Sequence, residues 1–159
     1  MLNRRFVRDM QAGEEDAVDA LLRAAFGGAD EAKLVRALRR SGDIAGECVV
    51  PGEDGIDGYF ALSAMRKPEG WLCLAPVAVA PERQGEGIGR RMMGFLTAWA
   101  MQAGQTIVVL GEPGFYERAG FSVARAAKLT SPYPVDHTAI ARPGEDVPAE
   151  TLVYPKAFG

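Results

Sequence analysis

An apolar segment passes through a glycine-rich turn into a helical pattern at Ala75-Pro76-Val77-Ala78-Val79-Ala80-Pro81-Glu82-Arg83-Gln84-Gly85-Glu86-Gly87-Ile88-Gly89-Arg90-Arg91. The order is strand, loop, helix. Gly85, Gly87 and Gly89 stand at alternate positions, so backbone N–H groups can converge with no Cβ in the way. The helix that follows turns its positive end to the same place, and such a turn suits an anion. Two familiar phosphate loops are excluded. No Lys-Ser or Lys-Thr follows the last glycine, and the spacing is G-x-G-x-G where a dinucleotide fingerprint requires G-x-G-x-x-G.

Gln84-Gly85-Glu86-Gly87-Ile88-Gly89 resembles motif A of the GNAT superfamily of N-acetyltransferases, Q/R-x-x-G-x-G/A, with the expected strand before it and amphipathic helix after it. The resemblance implies that the loop holds the pyrophosphate of acetyl-coenzyme A (acetyl-CoA), with Arg83, Gln84, Gly85, Glu86, Gly87, Ile88, Gly89 and Arg90 as binding residues. In that family the central strand splays from its neighbour and the pantetheine arm pairs with its free backbone, a role implied here for Val77, Ala78 and Val79. A second stretch, Phe115-Tyr116-Glu117-Arg118-Ala119-Gly120-Phe121, is similar to the family's F-Y-E-x-x-G-F segment, in which the tyrosine hydroxyl acts as general acid toward the coenzyme sulfur. That implies a catalytic role for Tyr116. The chain departs from the pattern at Val109, where many members carry an Asn seven residues before the tyrosine. The resemblance is strongest over about residues 71–121. It implies an α/β (α+β) fold: a mixed, mostly antiparallel central sheet of six to seven strands flanked by about four helices and splayed at the acetyl-CoA site.

At 159 residues, 48% hydrophobic and 25% charged, the chain is expected to form a single domain, 1–159, with a core of its own. No apolar run approaches the roughly 20 residues that cross a bilayer. Met1-Leu2-Asn3-Arg4-Arg5 is basic without an apolar stretch behind it, so no secretory signal is expected and the cytoplasm is the expected compartment. A net charge of −3 with no Lys/Arg run argues against nucleic acid as a partner. Positive charge is local instead: Arg83, Arg90 and Arg91 flank the glycine turn, and a basic mouth suits a polyanionic coenzyme. Cys48 and Cys73 lie in apolar surroundings and read as packed thiols, and no metal site is expected.

Along the chain, Arg5-Phe6-Val7-Arg8 is a strand candidate. A helix follows Glu14-Glu15-Asp16 with Val18, Leu21, Leu22 and Phe26 at helical spacing, and Gly27-Gly28 closes it. Asp30 can cap a second helix with Leu34, Val35 and Leu38 inward and Arg36, Arg39 and Arg40 outward. By resemblance, the loop between these helices borders the acceptor pocket. Residues 46–79 read as an antiparallel meander, and Pro76 predicts an irregularity because it cannot donate to a ladder. The helix after the loop carries Ile88, Met92, Phe95, Leu96 and Trp99 on a stripe expected to face the core. Thr106-Ile107-Val108-Val109-Leu110 suits a strand covered on both faces. Strands are expected again at 121–124, 138–141 and 151–154.

Direct acetyl transfer needs a deprotonated amine, a polarised carbonyl and a protonated leaving sulfur. Backbone N–H groups near Val79 could polarise the carbonyl and Tyr116 could serve the sulfur. The base is open between His137, Glu47, Glu112 and water, because Trp71-Leu72-Cys73-Leu74-Ala75-Pro76-Val77 contains no acid. A site so equipped is expected to favour low-pKa amines over lysine side chains. The acceptor is expected to be a small-molecule or peptide amine, and the protein a monomer or homodimer. The alternative is a non-catalytic acetyl-CoA sensor or interaction module on the same fold.

Overall fold

The computed structural model describes residues 6–159. Six strands form one sheet in chain order: β1 (Arg8–Asp9), β2 (Ile44–Gly52), β3 (Gly55–Ala64), β4 (Leu72–Val79), β5 (Ile107–Leu110) and β6 (Thr138–Ala141). All neighbours are antiparallel except β4 and β5. A tight turn joins β2 to β3, and the loop 65–71 joins β3 to β4. Between β4 and β5 the chain makes a helical crossover, the connection that a parallel pair requires. Among the described residues there are four α-helices: α1 (Glu15–Phe26), α2 (Asp30–Ser41), α3 (Ile88–Ala103) and α4 (Pro113–Arg118). The expected fold class, a mixed and mostly antiparallel sheet with four helices, is the one observed.

Strand alternation sorts the apolar residues onto two faces. Phe60, Leu62, Leu74, Ile107 and Val109 meet Met92, Met93 and Leu96 of α3. On the opposite face Tyr59, Ala61 and Ala78 meet Val18 and Leu22 of α1 and Val35 of α2. Further along that face, Cys73, Val108 and Ile140 are covered by Leu129 and Leu152 from the C-terminal segment. The unbroken β-branched run of β5 follows from this double cover. Gly58 brings β3 close to α3, since a Cβ there would stand 3.0 Å from the Met92 sulfur.

Five expectations are corrected. The first strand is Arg8–Asp9 rather than residues 5–8, and Arg5 lies outside the described residues. In α3 the buried face is Met92, Met93, Leu96 and Ala100, while Phe95 and Trp99 are 39% and 38% exposed. Each of those rings sits one position, about 100° of helix rotation, from a buried residue. Asp30 is the first residue of α2 and makes no side-chain cap bond, and Arg39 folds inward onto Glu47 at 2.7 Å. The expected strands at 121–124 and 151–154 reduce to single bridges, Ser122 with Ile140, Thr151 with Thr130 and Val153 with Lys67. Pro148 and Pro155 bracket the last of these and cannot donate to a longer ladder.

Candidate active site

The β4–β5 ladder runs only from Leu72 with Ile107 to Leu74 with Val109. Pro76 then removes an N–H, and on its other side β4 bulges, so that Ala75 and Pro76 face the single residue Ala61. Beyond this point one edge of β4 stands free. The Ala80 N–H donates to the Asp57 carbonyl on β3 at 2.8 Å. By alternation, the N–H groups of Val79 and Val77 point the other way, into the opening. The side-chain amide of Gln84 reaches back to donate to the Val79 carbonyl at 3.2 Å, which ties the glycine loop to the strand end.

The loop enters through a 3-10 turn, Pro81–Arg83. Gly85 and Gly87 have φ of 87° and 85°, which L side chains rarely adopt, and nothing lies within 4 Å of a Cβ built on either. Gly87 is the N-cap of α3, and the first helical bond runs from the Arg91 N–H to the Gly87 carbonyl at 3.0 Å. The N–H groups of Ile88, Gly89 and Arg90 therefore have no partner within the helix. No acidic residue occupies this first turn, whereas α1 and α2 each open with two. A helix end with free donors, no carboxylate and two arginines is short of negative charge, which a ligand phosphate would supply.

Together these groups wall a cavity of about 510 Å³. Of the residues expected at the cofactor, Val77, Val79, Arg83, Gln84, Gly85, Gly87, Ile88, Gly89 and Arg90 line it. Ala78 and Glu86 do not. Strand alternation buries Ala78 on the α1 face, and Glu86 turns to solvent beside Arg83 at 3.5 Å. The expected arginine cluster is also smaller than its sequence spacing. Arg83 is shared between Asp57 at 3.6 Å and Glu86, and Arg91 stacks on the Phe6 ring at 3.8 Å and lines a different cavity. Arg90 lines the cavity and forms no ion pair among the described residues.

Tyr116 sits on α4, whose start is fixed by Glu112. That carboxylate accepts from the N–H groups of Gly114 at 3.0 Å and Phe115 at 2.7 Å, bonds that hold its pKa below the usual carboxylate value. The Tyr116 ring is clamped edge-on between Phe115 at 4.9 Å and Phe121 at 5.6 Å. A Cβ on Gly111 would come within 2.6 Å of the same ring, so this position requires glycine for space rather than for its backbone. Burial raises the hydroxyl pKa above its usual value, which keeps the phenol protonated.

A second cavity of about 380 Å³ opens on the other side of the free β4 edge. Phe26, Leu34, Tyr133, Tyr154 and Phe158 line it together with Glu31, and it shares Val77 and Tyr116 with the first. A group held by the glycine loop and a molecule in the second cavity thus approach each other across one tyrosine and one free strand edge.

The residues weighed as a base lie elsewhere. Glu47 is held by Arg39 and accepts from the Tyr59 hydroxyl at 2.6 Å. Glu112 is used as a cap. His137 is exposed beside Asp136 at 3.2 Å and lines neither cavity. Glu31, which does line the second cavity, was missed by the sequence reading. Its signal was its place in the first turn of α2, just past the Gly27-Gly28 loop expected to border that pocket. Cys73 also reaches this cavity, but burial pushes its thiol, like that of Cys48, up to about 12, so neither is a thiolate nucleophile at neutral pH. Among the described residues there is no His/Cys/Asp/Glu group able to hold a metal ion, and no helix is long and apolar enough to cross a membrane.

Comparison with known proteins agrees with this geometry. Residues 32–123 match the family model for the acetyltransferase (GNAT) domain, a wider span than the stretch where the sequence resemblance is strongest. YhbS of Escherichia coli K12, an uncharacterized N-acetyltransferase, is 33% identical over 125 residues, which cover 74% of this chain and 73% of YhbS. The crystal structure of E. coli YhbS in complex with CoA superposes with a TM-score of 0.85 at 28% identity, covering 96% of this chain and 90% of that one. A GNAT family acetyltransferase from Brucella melitensis, solved with acetyl-CoA, gives a TM-score of 0.78 at 28% identity over 96% and 97% of the two chains. The chain belongs to the GNAT acetyltransferase family.

Proposed function

We propose that this protein, acting as one domain, transfers the acetyl group of acetyl-CoA to a primary amine by direct attack. The observation that carries the reading is the meeting of the two cavities at Val77 and Tyr116 on the free edge of β4. The site fits the coenzyme: unpartnered N–H groups and a glycine cradle open to a Cβ suit its pyrophosphate, and Arg90 supplies positive charge. The likeness to YhbS and to the Brucella enzyme, crystallised with CoA and acetyl-CoA, supports the same assignment. We read the protein as cytoplasmic, a monomer or homodimer, in keeping with its two free cysteines.

Bound acetyl-CoA supplies a thioester whose C–S bond breaks as the C–N bond of the product amide forms. The Val79 and Val77 N–H groups face the opening and polarise the carbonyl. Tyr116 donates its proton to the leaving sulfur. An incoming ammonium gives up two protons: water takes the first, and the second restores Tyr116. Of the bases left open by the sequence, water is the one assigned, because Glu47, Glu112 and His137 are committed or remote.

Calorimetry with CoA tests the loop assignment. Gly87→Val forces a β-branched side chain into a left-handed conformation where backbone must meet phosphate, so CoA affinity falls at least about tenfold, ~1.4 kcal/mol. A folded Gly87→Val protein with unchanged affinity removes the loop from the site.

A further inference from the structure

The acceptor-side cavity is walled by rings and aliphatic groups. Tyr133 packs edge-on to Tyr154 at 4.9 Å, and Tyr154 lies 5.8 Å from Phe158. The Tyr133 hydroxyl donates to the Phe158 carbonyl at 3.0 Å, which fixes this wall to the last 3-10 turn, Lys156–Phe158. Leu34 and Phe26 close it from the side of α1 and α2. Glu31 is the one charged residue in the lining, and no salt bridge among the described residues involves it. Glu14, Glu47 and Glu112, by contrast, are each bound to an arginine or to backbone donors.

We infer that the acceptor is a compact primary amine with an apolar, ring-sized body and a single positive charge, drawn in by Glu31; this rests on the acetyl-transfer reading above. The wall offers a polar body few partners beyond its tyrosine hydroxyls, so a polyhydroxylated body would bury groups it could not pair. The lining offers no Arg, Lys or His to a carboxylate, and Glu31 repels one. A polyamine or an aminoglycoside would bring further cations with no second acid to meet them. One ammonium over aromatic faces beside one carboxylate is well served. The transfer is balanced as above: the amine nitrogen gains the acetyl group, the sulfur gains one proton and water the other.

The test is release of free CoA thiol with four amines: phenethylamine, phenylalaninamide, phenylalanine and spermidine. Phenethylamine and phenylalaninamide are expected to exceed the other two in kcat/KM by at least about tenfold. Phenylalanine and its amide share the ring and differ in a carboxylate against a carboxamide, a change that also lowers the amine pKa of the amide, so the charge of the cavity is read from the change in their ratio on Glu31→Gln and not from the ratio alone. Glu31→Gln is expected to raise KM for phenethylamine with little change in kcat, and to narrow the gap between phenylalanine and its amide. A merely structural glutamate would move neither ratio. Phe26→Ala, a truncation at a half-exposed rim position, is expected to raise KM for the ring-bearing amines and not for spermidine. Turnover of spermidine, phenylalanine or a lysine peptide with a blocked N-terminus equal to that of phenethylamine overturns the acceptor class and leaves acetyl transfer standing. CoA binding by calorimetry with no turnover of any of these amines overturns the acceptor class, and a folded protein that binds no CoA overturns the acetyl-transfer reading with it.

Discussion

Tyr116 is the residue in which geometry and electrostatics combine most closely. Its ring is held by Phe115 and Phe121, and burial raises its pKa. A raised phenol pKa means that the active, protonated form persists beyond pH 10. The kcat profile is therefore expected to show no loss from this group below pH 10, and its contribution to stability is present below that pH and fades only as pH rises through the raised value. A fall in kcat between pH 8 and 9 that disappears in Tyr116→Phe would contradict this. Gly111→Ala places a methyl group where the tyrosine ring already lies, so it is expected to displace the ring and cut kcat by about tenfold or more while CoA affinity is kept. Wild-type kcat in a folded Gly111→Ala protein would mean that the ring position is not critical. Because no weighed base reaches the cavity, the amine carries its own cost of deprotonation. At pH 7 that is about 1.1 kcal/mol for an α-amino group and about 4.6 for a lysine-like amine. Phenylalaninamide is accordingly expected to outpace phenethylamine at neutral pH, with the gap closing as pH rises.

At the scale of elements, β4, the glycine loop and α3 form the unit that makes the site, and they were the part most legible in the sequence. Alternate glycines with no acid in the first helical turn specify a donor-rich helix end from composition alone, and Pro76 announces the break in the ladder that frees the strand edge. The helix face was less legible. Phe95 and Trp99 have the right spacing for a buried stripe, but spacing cannot say where the sheet lies, and the contact of Gly58 with Met92 rotates the buried face away from them. That contact makes Met92 a core residue, and Met92→Ala is expected to cost about 2–5 kcal/mol in urea unfolding. Near the N-terminus, Arg8 grips Glu14 with two bonds of 2.9 and 2.8 Å and pulls its pKa from 4.5 to about 2. A depressed carboxylate stabilises above its unfolded pKa and loses that contribution as pH falls. The melting-temperature difference between wild type and Glu14→Gln, small because the pair is only partly buried, is expected to be present at pH 7 and to vanish toward pH 2.

For the whole molecule, the coenzyme half of the site is built from local signals and the acceptor half from distant ones. Phe26 and Glu31 come from α1 and α2, Tyr133 from a proline-rich loop, and Tyr154 and Phe158 from near the C-terminus. None of these residues carries a motif, and only the fold collects them, which is why the sequence yielded a base search among His137, Glu47 and Glu112 and passed over Glu31. The central claim is that the two halves meet at Tyr116, where its hydroxyl protonates the leaving sulfur. The most direct measurement is kcat for Tyr116→Phe, with CoA affinity by calorimetry and thermal unfolding on the same protein. Removal of one oxygen with the ring retained is expected to lower kcat by about 10²-fold or more and to leave affinity and melting temperature nearly unchanged. A folded Tyr116→Phe protein with wild-type kcat, or one that loses CoA binding and rate together, would contradict the account.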